Sequence, residues 1–137
     1  MSDAREAFAA AAEALVDTPF RLHGRSTIGG LDCVGLVEIA LKQIGRCPVP
    51  IPAYGLRNAN YHFVPSFAAR NGFAEARPPA IRGDVVATRP GPAQLHLLIA
   101  IGTDEFVHAH AGLRRVARLS GPLPWPKTHH FRLKEDD

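Results

Sequence analysis

Cysteine is scarce in this chain: two residues, Cys33 and Cys47, among 137. Two are too few for a disulfide framework, and their spacing matches no C-x-x-C metal or redox motif, so Cys47 is expected to be a bland residue. Long hydrophobic runs are missing as well. The longest, such as LLIAIG at 97–102, falls far short of the ~20 apolar residues that a membrane helix needs, so no membrane partner is expected. The opening residues MSDAREAFAAAAEALVDTP carry acids among their alanines and lack a basic start followed by an uninterrupted apolar stretch. The start therefore does not read as a secretory signal, and the expectation is a chain made in the cytoplasm and unprocessed, leaving any export to another route, such as a particle released on lysis. Clustered charge of one sign is absent too. A net charge of +3 and a pI near 9.2 would suit an anionic polymer, but the basic residues are scattered without interleaved aromatics, so nucleic acid is not expected as a partner.

What is present describes one compact domain spanning 1–137. Hydrophobic residues make up 46% and charged residues 21%, near the averages for globular proteins, and the length suits a single core. Alanine and leucine over 3–16 predict a first helix with Ser2 or Asp3 as cap, ending before Thr18-Pro19. A glycine-containing loop follows over 21–31. Asp32 is then placed to cap a second helix whose apolar positions Leu36, Val37, Ala40, Leu41 and Ile44 repeat at helical spacing until Gly45 and Pro48. The stretch 48–79 is irregular, with a short helix around 64–71. Segments 84–89, 95–101, 105–110, 114–119 and 128–133 have the composition of strands separated by turn residues. Helices first and strands afterwards predict an α+β fold, with N-terminal helices packed on an antiparallel sheet of about five strands.

Cys33 falls where the second helix begins. The N–H groups of a first helical turn lack partners and the helix dipole is positive there, which favours a thiolate and makes Cys33 a candidate nucleophile. The pattern places His96 and His108 on a hairpin whose turn falls in GTDE. They share a face if the loop has an odd number of residues, and a two-residue turn at Thr103-Asp104 would send them to opposite faces. His110 has the parity of His108, and spacing alone does not choose between them. If the Cys33 helix packs against that face, His96 can take the thiol proton while a second histidine orients its ring, and the Cys33 N–H can stabilise an oxyanion. The chemistry expected is acyl transfer to water through a thioester. Zinc is the competing reading, because Cys33, His96, His108 and His110 are all ligand types. No acidic residue or second cysteine is spaced to complete a familiar site, so neither a metal nor another cofactor is expected. His129 and His130 should point to opposite faces of a strand. Asp32 suits a cap better than an acid catalyst, since its charge opposes thiolate formation.

These blocks resemble the NlpC/P60 cysteine peptidases that cut peptidoglycan stem peptides. The resemblance runs through TPFRLHG, the GGLDCVGLV helix start, RGDVV, HLLIAIG and FVHA, covering about 18–110. It implies a papain-like core with Cys33 as nucleophile, His96 as base and His108 as orienting residue. Phe20, His23, Asp32, Val34 and His110 are then the candidate substrate contacts, and a D-glutamyl to diamino-acid amide in the murein stem is the implied substrate. No cofactor is implied. The chain departs from the family pattern at Phe20, where tyrosine is usual, at Val34, where serine is usual, and at Leu98, where glycine is usual. Its closing portion, 109–133, looks like the small versions encoded with phage tails and gene transfer agents. The resemblance therefore implies incorporation in a phage-like particle with tail or hub proteins as partners. The alternatives are a tail-tip binding protein that keeps the fold without catalysis, and an amidase or acyltransferase of the same group.

Overall fold

The computed structural model describes residues 3–50, 63–92 and 94–135. Three helices, α1 (Asp3–Ala14), α2 (Cys33–Gln43) and α3 (Phe63–Arg70), accompany a six-stranded sheet and a two-stranded ribbon. The ribbon pairs β1 (Arg25–Ser26) with β2 (Gly30–Leu31). The sheet contains β3 (Phe73–Glu75), β4 (Asp84–Thr88), β5 (His96–Gly102), β6 (Glu105–His110), β7 (Arg115–Ser120) and β8 (Lys127–Leu133), in the order β3-β8-β4-β5-β6-β7, with every neighbouring pair antiparallel. The α+β class read from the sequence holds. The sheet has one strand more than expected, because β3 is only three residues long and its single buried position leaves no alternation to detect. Ser2 lies outside the described residues, and Asp3 is the first residue of α1.

Each element follows from its residues. The Asp32 carboxylate caps α2 by accepting the Gly35 N–H at 2.8 Å. At the other end Gly45, at φ +87°, lets the Arg46 N–H reach the Leu41 carbonyl and the Gly45 N–H reach that of Lys42, a Schellman closure. Buried Val34, Leu36, Val37, Ala40 and Leu41 press α2 onto the face of the sheet formed by Val85, Leu97, Ile99, Val107 and Phe131, and Phe8 and Ala12 of α1 join the same core. Arg82 fastens α1 to the sheet through Glu6 at 2.8 Å and Glu13 at 2.6 Å. A smaller apolar cluster on the other face joins Val86, Leu98, Ala100 and Phe106 to Leu119, Leu123 and Trp125. RGDVV has a structural role: Asp84, fully buried, accepts two bonds from Arg132, one from His130 at 2.7 Å and one from the Ile81 N–H. No helix among the described residues is long and apolar enough to cross a membrane.

Candidate active site

The hairpin joining β5 to β6 decides where the histidines point. It turns through Thr103 and Asp104, with Gly102 opposite Glu105, the two-residue geometry expected to separate His96 from His108. They are not separated. The register shifts between Ala100 and Gly102, so one extra residue on β5 restores the parity lost in the turn. A bulge leaves no mark in the alternation of apolar residues, and so the sequence did not show it. His96 Nε2 and His108 Nδ1 lie 2.7 Å apart, and the His110 ring stands 5.2 Å from that of His108. His110 is turned to its own loop, accepting the Leu113 N–H at Nδ1, whereas His108 is bonded to His96.

One expectation about packing is corrected. Helix α2 packs on the face bearing Leu97 and Ile99, and the three histidines occupy the other face, beside Leu98 and Trp125. Alternation along β5 leaves no other arrangement, because His96 and Leu97 must point to opposite sides. The sulfur of Cys33 nevertheless reaches the start of β5. The backbone N–H groups of Leu97, the residue after His96, and of Val34 in its own helix lie near enough to favour its anion. The thiol thus sits beside the backbone that follows His96, at the end of the strand, and not across the sheet face from the ring. His96 Nε2 is engaged by His108, and among the described residues its Nδ1 and the Cys33 N–H have no hydrogen-bond partner.

The electrostatics reverse the expectation of a resting thiolate. Burial and then the adjacent Asp32 carboxylate push the Cys33 thiol up to about 12, and the nearby N–H groups of Leu97 and Val34, with the Arg25 charge, only partly offset this. Helix-terminus stabilisation is therefore present but outweighed. Burial, with His108 and His110 close by, pushes His96 down to about 3, and burial pushes His108 down to about 4. The resting pair is a neutral thiol and a neutral imidazole.

The remaining candidates divide. Val34 is 1% exposed in the main core and Asp32 is 2% exposed, so neither can touch a substrate. A residue after the helix start turns inward with the helix. Both oxygens of Asp32 are occupied, Oδ1 by Gly35 and Arg25 and Oδ2 by the His23 N–H. Gly35 is required by that packing, since a Cβ there would collide with the Gly24 carbonyl oxygen. His23, at φ +62°, is exposed on an open cleft of about 420 Å³ that also includes Arg21 and Ser26. Phe20 is half-buried against the core, bridged to Leu31. Leu98, fully buried in the outer cluster, lines no groove. His130 is buried and held by Asp84, while His129 stacks on Phe131 and Cys47 is exposed. Trp125 was not singled out from the sequence, where a lone tryptophan among prolines has no periodicity. Its ring centroid lies 5.3 Å from that of His96. Among the described residues, no group of three His, Cys, Asp or Glu side chains is placed to hold a metal.

A family model described as the NlpC/P60 family matches residues 17–133. No curated protein matches the chain. Among solved structures, NlpC2 from Trichomonas vaginalis superposes with a TM-score of 0.69 at 16% identity, covering 100% of this chain and 49% of that one. The peptidoglycan hydrolase RipB from Mycobacterium tuberculosis gives 0.61 at 21% identity, over 97% of this chain and 65% of that one. An N-acetylmuramoyl-L-alanine amidase from Bacteroides uniformis gives 0.62 at 14% identity, over 98% and 100%. The chain thus spans about half the length of the Trichomonas protein it resembles.

Proposed function

The chain belongs to the NlpC/P60 family, and from that premise we propose that it hydrolyses amide bonds in the peptide stems of peptidoglycan, with Cys33 as nucleophile. The observation that carries the reading is the Cys33 sulfur placed where the Leu97 N–H favours its anion, one residue from a histidine whose Nε2 is tied to His108 and whose Nδ1 is unengaged.

The reaction needs one of the two proton arrangements that the His96–His108 contact allows. For His96 Nδ1 to accept a proton, its Nε2 must carry the hydrogen and donate it to His108 Nδ1. His108 is then neutral, with its own proton on Nε2. The thiol proton passes to His96 Nδ1 as sulfur attacks the carbonyl carbon, so charge develops only in the reacting complex. The Cys33 N–H is available to the oxyanion. Collapse of the tetrahedral intermediate breaks the C–N bond, and His96 gives its proton to the departing amine. Water then attacks the thioester with His96 as base, releasing a carboxylic acid and restoring the thiol. The sulfur and ring, unbonded at rest, come into contact when substrate binds, as catalytic hydrogen bonds commonly do.

Incubation with purified murein tests this: wild type releases new amino termini and Cys33→Ala does not. Equal release from both removes the assignment. Defined muropeptides analysed by mass spectrometry locate the bond. Cleavage within the stem supports the endopeptidase, and cleavage at the lactyl–alanine amide supports the amidase suggested by the fold shared with the Bacteroides protein. The elevated thiol favours a second reading, a binding protein that keeps the fold without turnover, and absence of any release would select it. The look of residues 109–133 supports delivery on a phage-like particle with tail or hub proteins as partners. Proteomics of particles released from a producing culture checks that, and their lacking the chain would refute it.

A further inference from the structure

Six residues, Gly121 to Pro126, join β7 to β8 as a strap over the outer face of the sheet. The Gly121 N–H bonds the Asp104 carbonyl at 2.8 Å at one end, and the Arg89 N–H bonds the Pro126 carbonyl at 2.9 Å at the other. Pro122, Pro124 and Pro126 restrict the backbone and bring no N–H to satisfy, so the strap needs no strand partner of its own. The residues between them, Leu123 and Trp125, turn to the sheet and pack on the cluster of Val86, Leu98, Ala100 and Phe106. That packing sets Trp125 against both members of the histidine pair. Its ring lies 5.3 Å from His96 at 88° and 6.2 Å from His108 at 48°.

We propose that Trp125 is a positioning residue for the His96–His108 pair, fixing both rings in their hydrogen-bonded geometry and closing them off from water on the outer face. An imidazole can flip or rotate about χ2 unless something blocks it. One indole set against both rings, edge-on to His96 and tilted to His108, obstructs both. The indole also excludes solvent where a cationic imidazole would seek it, in line with the lowered titration of both histidines. The titratable groups that act on His96 are His108 and His110 on β6, and Cys33 at the start of α2 lies by the backbone of the next residue, Leu97. Trp125 adds no charge to that set, so its influence comes through exclusion of water and ring orientation. The catalytic consequence rests on the hydrolase reading, and the placement of the rings does not.

The test is histidine ¹⁵N NMR across pH on wild type, Trp125→Ala and Trp125→Phe, with His96→Ala and His108→Ala for assignment, beside pH profiles of murein release. In wild type, His96 should hold its Nδ1 lone-pair tautomer to well below pH 5. Trp125→Ala should mix the tautomers and raise the His96 midpoint by at least one pH unit, moving the acid limb of kcat up with it. Trp125→Phe should restore most of both. Unchanged histidine resonances and midpoint in a folded Trp125→Ala protein would overturn the proposal. If that variant does not fold, Trp125→Leu takes its place, filling the space without a ring. Mixed tautomers then support the proposal and wild-type tautomers overturn it. A wild type that cleaves no murein sinks the hydrolase reading, and the NMR still decides the role of Trp125.

Discussion

His96 Nε2 and His108 Nδ1 lie 2.7 Å apart with room for one proton between them, so the two rings cannot both accept, and only one tautomer of the pair leaves the basic nitrogen free on His96. In that tautomer the proton belongs to His96, and His108 serves by accepting it. An orienting residue here needs a lone pair, not a charge.

Replacements should therefore rank by hydrogen-bond chemistry. His96→Ala should lower kcat by about 10²–10⁴, the range for loss of a general base. His108→Gln, which keeps an accepting oxygen, should cost roughly tenfold, and His108→Ala should fall between the two. Steady-state kinetics on a soluble muropeptide reads the order. A larger loss from His110→Ala than from His108→Ala would transfer the orienting role to His110.

A neutral thiol predicts slow alkylation. In a Cys47→Ser background, which removes the exposed thiol, Cys33 should react with iodoacetamide at pH 7 more slowly than a free thiol, its rate rising about tenfold per pH unit into the alkaline range. Asp32→Asn keeps an oxygen for the cap but removes the charge that raises the thiol, so it should speed labelling at any given pH. Asp32→Ala should also lose about 1–2 kcal/mol of stability with the cap. A labelling rate already level between pH 6 and 8 would mean a thiolate at rest.

Acid should destabilise the fold before the carboxylates titrate. His96 and His108 have folded pKa values of about 3 and about 4, below the ordinary 6.5, so the unfolded chain binds more protons between those limits. Stability is full above about pH 6.5 and falls as pH drops towards 4, by at most about 1.4 kcal/mol per pH unit for each histidine. Urea unfolding at intervals from pH 7.5 to 4.5 measures the slope. It should flatten in His108→Ala, and an identical slope there would contradict the assignment.

Asp84→Ala removes the acceptor for Arg132, His130 and the Ile81 N–H together. Breaking a fully buried pair costs about 3–5 kcal/mol, and the part-exposed Arg132 brings the expectation to about 2–3 kcal/mol. Thermal unfolding should show the loss, while Cys33 labelling below the melt stays as in wild type. A change in labelling would tie RGDVV to the site rather than to the frame.

The sequence by itself determined the α+β order, the cap and closure of α2, the placing of Cys33 at a helix start and the common parity of His108 and His110. These are consequences of local rules, in which an Asp before an apolar period or a glycine after it acts within a few residues. Only the tertiary structure decided that a bulge in β5 returns His96 to the face of His108, and that Val34 and Asp32 point inward. It also set the helix on the opposite face from the histidines and brought Trp125 over them. The thiol likewise depends on what surrounds it: a helix terminus favours the thiolate, but burial and a neighbouring carboxylate act on it more strongly. Such outcomes depend on which surfaces meet once the chain closes on itself, and no residue's immediate neighbours in sequence contain that information.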